Sequence, residues 1–173
     1  MPKYISVSLL VALLFIAGEN FAQSSKTFSA KSTAYIEGAT QGPVYSINYD
    51  RIFSEGNVFA KSYRIGFSVY NDVLAFPMSI NFITGKGKHH AELSFTAIPY
   101  IENASKLFKP GNLSDKKMYI IPGAGYRYQK PTGGFFFRAV AAPVLYLDPP
   151  SDNFWKMDTK LFADISVGAG YSF

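Results

Sequence analysis

The sequence predicts an all-β fold, an eight-stranded antiparallel up-and-down transmembrane β-barrel preceded by a signal peptide. Three observations support this prediction. Apolar and polar residues alternate along eight segments, the number of segments is even, and both long connections fall on the same side of the predicted sheet. Alternation predicts strands because successive strand side chains point to opposite faces. An even number of strands lets a closed barrel begin and end at one rim.

The final segment shows the alternation most clearly. Between residue 161 and Phe173, large apolar residues such as Ile165 and Tyr171 alternate with small or polar ones such as Asp164. Seven earlier segments follow the same pattern, at 33–39, 43–53, 59–70, 74–84, 89–100, 118–129 and 135–146. Most are as long as the roughly 9–11 residues with which a tilted strand crosses a bilayer.

The connections between the segments give an independent test of the strand number. If the chain enters the barrel at the periplasmic rim, the connections at 40–42, 71–73, 101–117 and 147–159 face outwards. The two long connections are both in this group, whereas the other turns are short. This is the usual arrangement of an outer-membrane barrel, and a miscount by one strand would reverse it.

The N-terminal residues predict export. An apolar run from Ile5 to Gly18 follows a basic start and precedes Ala22, which is the pattern of a cleaved signal peptide over residues 1–22. The run is shorter than the about 20 residues of a membrane-spanning helix, although an uncleaved N-terminal anchor is an alternative. Residues 23–173 then form one barrel domain. The chain contains no cysteine, so neither a cysteine-linked lipid anchor nor a disulfide is expected.

A secreted soluble barrel of the lipocalin type is the main alternative fold, because it also has eight strands and a signal peptide. Such a barrel lines its interior with large apolar groups and faces water with charged ones. Here the polar wall carries Gly, Ser and Asn, and a narrow lumen could not hold all the large residues, so the apolar wall is expected to face lipid. The net charge of +5 is too small to predict nucleic-acid binding and is compatible with anionic lipid headgroups.

A few charged residues fall on the polar wall and are expected to meet inside the barrel. The predicted cluster of ion pairs contains Asp50, Glu92, Arg127 and Arg138, with Glu92 paired to Arg127 or Arg138. Buried charges are costly unless they are paired, so we interpret the cluster as a plug. A gated conductance path is the alternative interpretation.

His90, Glu92 and Ser94 share one strand face, which raises the possibility of a Ser-His-acid site. Neighbours on one face lie roughly 6.5–7 Å apart, too far for a direct relay, and no Gly-x-Ser-x-Gly turn is present. The three residues are therefore only weak candidates, and no catalytic residue or cofactor is assigned. The adjacent His89 points to the opposite face, so no metal site is predicted either.

The predicted outer connections carry the remaining candidates. Four lysines are expected to contact lipopolysaccharide phosphates: Lys106, Lys109, Lys116 and Lys117. The second long connection, 147–159, contains at 148–155 two prolines that stiffen it and aromatic residues suited to a membrane interface.

The predicted signal peptide, the eight strands and the terminal segment Val167-Gly168-Ala169-Gly170-Tyr171-Ser172-Phe173 together resemble the small OmpA/OmpX-type outer-membrane barrels. This resemblance covers the whole of residues 23–173. The stretch from Gly125 to Arg138 resembles a hairpin of uncharacterised outer-membrane proteins of Bacteroidetes-type bacteria. The resemblance implies location in the outer membrane of a Gram-negative bacterium, with membrane lipid and lipopolysaccharide as neighbours. It also implies that the barrel-insertion machinery reads the terminal strand ending in Phe173.

The resemblance carries no catalytic residue and no cofactor to this chain. The expected function is that of a non-enzymatic integral outer-membrane protein, with a structural or surface-interaction role through its extracellular loops. Two alternatives remain, a lipid A-modifying enzyme of the deacylase or acyltransferase type and a narrow pore.

Overall fold

The computed structural model describes residues 27–106, 116–147 and 157–173. These residues form one 3-10 helix, Ala104–Lys106, and nine strand segments: β1 Ser32–Ala39, β2 Tyr45–Glu55, β3 Phe59–Tyr70, β4 Val73–Ala75, β5 Met78–Thr84, β6 His89–Ile101, β7 Lys116–Gln129, β8 Gly134–Leu147 and β9 Met157–Ser172. The predicted signal peptide lies outside the described residues. No helix in the described ranges has the length and apolar character needed to span a membrane.

The strands form one closed antiparallel sheet. Each strand pairs with its neighbour along the chain, and β1 pairs with β9, where Tyr35 lies opposite Gly170. Because β4 and β5 are two parts of one strand, the barrel has eight strands, and the predicted up-and-down fold is confirmed. We call the end that holds residues 27–31 and Phe173 the terminal rim, and the opposite end the loop rim.

The fourth strand, predicted as continuous over 74–84, is interrupted at Phe76 and Pro77. Proline has no amide hydrogen and cannot donate to a neighbouring strand. The register against β3 is the same on both sides of the interruption, with Ala75 opposite Ser68 and Met78 opposite Ile65. The proline therefore breaks the hydrogen-bond ladder without changing the pairing.

The two faces of the wall have opposite polarity. Large apolar side chains point outwards and are about half exposed, as at Ile47 (59 %) and Ile65 (53 %). Polar side chains point inwards and are buried, as at Asn48, Arg64 and Ser166. Water-soluble proteins have the reverse distribution, with large apolar residues inside.

Phe162 departs from the predicted alternation. Strict alternation would place it on the same inward face as Asp164, two residues on, but it is 39 % exposed. The pairing of β8 with β9 shifts between Val144 and Tyr146, next to the point where Val144 faces Phe162. Such a bulge re-aims nearby side chains, and the sequence pattern alone does not reveal it.

Apolar residues close the lumen towards both rims. Phe28, Ile52, Ala60 and Ile83 form a buried cluster near the terminal rim. A second buried cluster lies towards the loop rim and consists of Ala75, Ile98, Ile121, Ala142 and Val144. Polar and charged side chains fill the space between the two clusters.

Gly125 shows how closely the wall is packed. A Cβ atom built on Gly125 would lie 2.1 Å from the carbonyl oxygen of Ala139 and 2.7 Å from Cα of Val140. We expect Gly125→Ala to lower the free energy of unfolding by about 1–3 kcal/mol, because backbone atoms must move. Gly87→Ala is the control, since nothing lies within 4 Å of its Cβ position. Equal unfolding midpoints of the two variants in urea would contradict the packing described.

Candidate functional site

Six charged side chains form a chain of alternating sign across the middle of the lumen. In order they are Asp50, Arg127, Glu92, Arg138, Glu37 and Arg64. None is more than 6 % exposed. They come from β2, β7, β6, β8, β1 and β3, so this ion-pair network links strands from all around the barrel.

Arg127 occupies the first junction of this network. Its Nη2 donates to Oδ1 of Asp50 at 2.7 Å, and its Nη1 lies 3.3 Å from Oε2 of Glu92. The guanidinium also lies over the ring of Phe136, with Cζ 4.9 Å from the ring centroid. The ring covers one face of the cation, while the two carboxylates take up its edge.

Arg138 and Glu37 continue the network towards Arg64. Nη2 of Arg138 donates to Oε1 of Glu92 at 2.6 Å, and its Nη1 donates to Oε2 of Glu37. The other oxygen of Glu37 accepts from Nη1 of Arg64. Both Glu92 and Glu37 are thus bridged between two guanidinium groups.

Neutral side chains satisfy the remaining donors and acceptors. Oδ2 of Asp50 accepts from Ser62 and from Asn81, each at 2.9 Å. Arg64 donates to Ser79 at 3.1 Å and to Thr96 at 3.2 Å. Charged groups that are buried without such partners would destabilise the fold by several kcal/mol each.

The network balances three carboxylates against three guanidinium groups, so it introduces no net charge into the lumen. Mutual attraction then offsets the cost of removing each charge from water. Chemically, the arrangement can hold the strands in one register and fill the lumen. Every carboxylate oxygen of Glu37 and Glu92 already accepts from an arginine.

A small cavity lies beside the network on the side of the loop rim. Glu37, Arg64 and Arg138 line it together with polar residues such as Ser94 and Thr96. The space open to the centre of a water molecule is about 30 Å³. This is room for about one or two waters.

The structure brings together all four residues of the predicted cluster, and Glu92 contacts both candidate arginines. The predicted cluster did not include Glu37 or Arg64. The alternation itself carried the signal for Glu37, because Thr33 and Tyr35 precede it on the same inward face. The short first strand gave too few positions to make that face clear.

The three weak catalytic candidates do not form a relay. The ring nitrogens of His90 lie 2.6 Å from the carbonyl oxygen of Thr84 and 3.0 Å from that of Gln129. Glu92 is held by two arginines, and Ser94 borders the cavity. His89 points outwards, with its Nδ1 2.6 Å from the Tyr126 hydroxyl. The described residues hold no group of three or more His, Cys, Asp or Glu side chains placed to bind a metal.

The four predicted lipopolysaccharide lysines differ in their surroundings. Lys116 is exposed at the start of β7, and Lys117 donates to Glu102 at 2.8 Å. Lys109 and the side chain of Lys106 lie outside the described part of the chain. The second long connection, at 148–156, also lies outside it.

At the terminal rim, residues 27–30 lie across the mouth of the lumen. The ring of Phe28 enters the mouth and lies 5.5 Å from the ring of His90, centroid to centroid. Glu55 holds this segment, because its carboxylate accepts from the amides of Thr27 and Phe28 and pairs with Lys31 at 2.9 Å. Burial alone would raise the pKa of Glu55, but these hydrogen bonds outweigh burial and hold the pKa below its usual value.

Glu55→Gln is expected to lower the free energy of unfolding by about 1 kcal/mol at neutral pH. Because the folded pKa lies below the unfolded one, the carboxylate stabilises the fold fully above the unfolded value of about 4.3. That contribution is lost as the pH falls through the folded pKa. Urea unfolding from about pH 7 down to about pH 2 should therefore show the two proteins converging in acid. A difference that persists or grows in acid would contradict the role given to Glu55.

Comparisons with protein-family models, with curated proteins and with solved structures give no match to this chain.

Proposed function

We propose that the chain is a non-enzymatic integral β-barrel of the outer membrane of a Gram-negative bacterium. In this proposal the lumen is plugged, and the loop rim carries a structural or surface-interaction role. The observation that carries the proposal is the reversed polarity of the wall, with large apolar residues outside and charged residues inside. A closed barrel leaves no unpaired sheet edge, which is the condition for a β structure in hydrocarbon.

The outward apolar residues form a continuous belt around the barrel. The belt includes Ile36, Ile47, Ile65, Ile80, Leu93 and Val167, which are 43–61 % exposed. In water such a surface would drive aggregation, whereas lipid chains would cover it without cost. Aromatic residues flank the belt towards both rims, as at Tyr63 and Tyr171 on one side and Tyr45 and Tyr70 on the other. Such girdles are typical of barrels at the two membrane interfaces.

The filled lumen favours a plugged barrel over a pore. Apolar clusters lie towards both rims, and the network of six charges lies between them. We expect planar-bilayer recordings of the purified chain to show no steady conductance. Steady ion conductance would overturn the plug and favour the narrow pore.

Two partner assignments belong to the same proposal. Phe173 is 60 % exposed at the end of the last strand, a position that the barrel-insertion machinery could reach. Lys116, exposed at the loop rim, is available to lipopolysaccharide phosphates.

Location and orientation can be tested with single cysteines, because the chain contains none. Lys116→Cys places a thiol at the loop rim, and Gly87→Cys places one in an exposed turn at the terminal rim. We expect a membrane-impermeant maleimide to label Lys116→Cys on intact cells and Gly87→Cys only after permeabilisation. The reverse pattern would contradict the orientation, and recovery of the protein in the soluble fraction would contradict the membrane location.

A further inference from the structure

Basic side chains surround the terminal rim just beyond the apolar belt. Five of them are exposed: Arg51, Lys61, Lys86, Lys88 and Lys130. We call this set the basic rim. None of the five forms an ion pair with another described residue. Among the described residues, Glu55 is the acidic side chain at this end that lies outside the lumen, and it is paired with Lys31.

Two members of the basic rim project from the wall itself. Arg51 lies on the outward face of β2 between Tyr49 and Phe53, and its Nη1 lies 3.5 Å from the hydroxyl of Tyr49. Lys61 lies on the outward face of β3, opposite Phe82. Aromatic and basic groups side by side on the outer wall are typical of the depth at which lipid headgroups lie.

The loop rim has a different charge balance. There, Lys117 is paired with Glu102, and Asp72 accepts from the amide and the hydroxyl of Ser105. Of the described side chains at the loop rim, Lys116 is exposed without an ion pair, whereas five such cations lie at the terminal rim. A headgroup phosphate is the anion that a bilayer would bring to this height on the wall.

We propose that the basic rim binds the phosphate groups of anionic phospholipids, such as phosphatidylglycerol, in the leaflet that meets the terminal rim. This inference rests on the proposed function, since it requires the apolar belt to lie in a bilayer. Each lysine near an anionic surface contributes about 1 kcal/mol, which corresponds to about a five-fold preference. The contact would fix the depth and orientation of the barrel independently of lipopolysaccharide.

The test uses the full chain folded in phosphatidylcholine vesicles that contain a trace of spin-labelled phosphatidylglycerol or spin-labelled phosphatidylcholine. We expect the motionally restricted lipid population to show at least about a five-fold preference for phosphatidylglycerol. The basic-rim variant Arg51→Gln, Lys61→Gln, Lys86→Gln, Lys88→Gln, Lys130→Gln removes all five cations and should reduce the preference to about one-fold. The control variant Lys116→Gln removes an exposed lysine at the opposite rim and should keep the preference.

Two results would overturn the inference while leaving the proposed function intact. One is equal association of the two lipids with the unmodified chain, and the other is an unchanged preference in the basic-rim variant. If no restricted lipid appears around the folded chain, the belt does not contact hydrocarbon. That result would overturn the proposed function and, with it, this inference.

Discussion

Glu92→Gln is expected to lower the free energy of unfolding by about 3–5 kcal/mol, because it leaves a buried network with one positive charge in excess. Glu92 bridges Arg127 and Arg138 at 3.3 and 2.6 Å and is 1 % exposed. The substitution keeps the size of the side chain, so the loss reports charge rather than packing. Urea unfolding in lipid vesicles, followed by far-ultraviolet circular dichroism, measures it.

Glu102→Gln is the matched control, because Glu102 pairs with Lys117 at the loop rim and is 40 % exposed. Surface pairs of this kind contribute about 0–1 kcal/mol. The double variant Glu92→Gln, Arg138→Gln restores neutrality and should be more stable than the two single losses predict, by about 1 kcal/mol or more. Strict additivity, or an effect of Glu92→Gln no larger than the control, would contradict a coupled network.

Ile65→Arg is expected to destabilise the barrel in lipid by about 2–4 kcal/mol, the effect of arginine on the lipid-facing side of a barrel near the bilayer midplane. Ile65 is 53 % exposed in the middle of β3, on the outward face. In a water-soluble barrel an exposed position of this kind would tolerate arginine, with changes within about 0.5 kcal/mol. Unfolding in vesicles therefore distinguishes the two settings.

Val58 provides the control for this substitution. It is 55 % exposed, almost the same as Ile65, but it lies in the turn between β2 and β3, beyond the belt. Near the interface, arginine is expected to destabilise by about 0–1 kcal/mol. Equal effects of Ile65→Arg and Val58→Arg would mean that the outward face of β3 does not lie in hydrocarbon.

The fold could be predicted from the sequence because a barrel wall repeats one local pattern. Alternation along each strand fixes which side chains point inwards, and the parity of the long connections fixes the strand number. Residues 27–30, which lie across the mouth of the lumen, show no such pattern, so the position of Phe28 in the lumen could not be predicted. Pro77 and the bulge near Val144 are local events that interrupt the ladder without changing its order.

The site was predictable only in part for a different reason. Glu92 and Arg127 lie on neighbouring strands, so their proximity followed from strand order alone. Asp50 pairs with Arg127 across the lumen, from β2 to β7. The stagger of the closed sheet determines which residues of distant strands lie at the same height along the barrel axis. This stagger cannot be read from the sequence. Glu37 enters the network through the same stagger.

Flotation of the folded chain with lipid vesicles, after a wash in alkaline carbonate, tests the membrane location most directly. A barrel whose outward face lies in hydrocarbon should rise with the vesicles and should change its gel mobility on heating. A folded, monodisperse chain that stays in the aqueous fraction without detergent would contradict the membrane location.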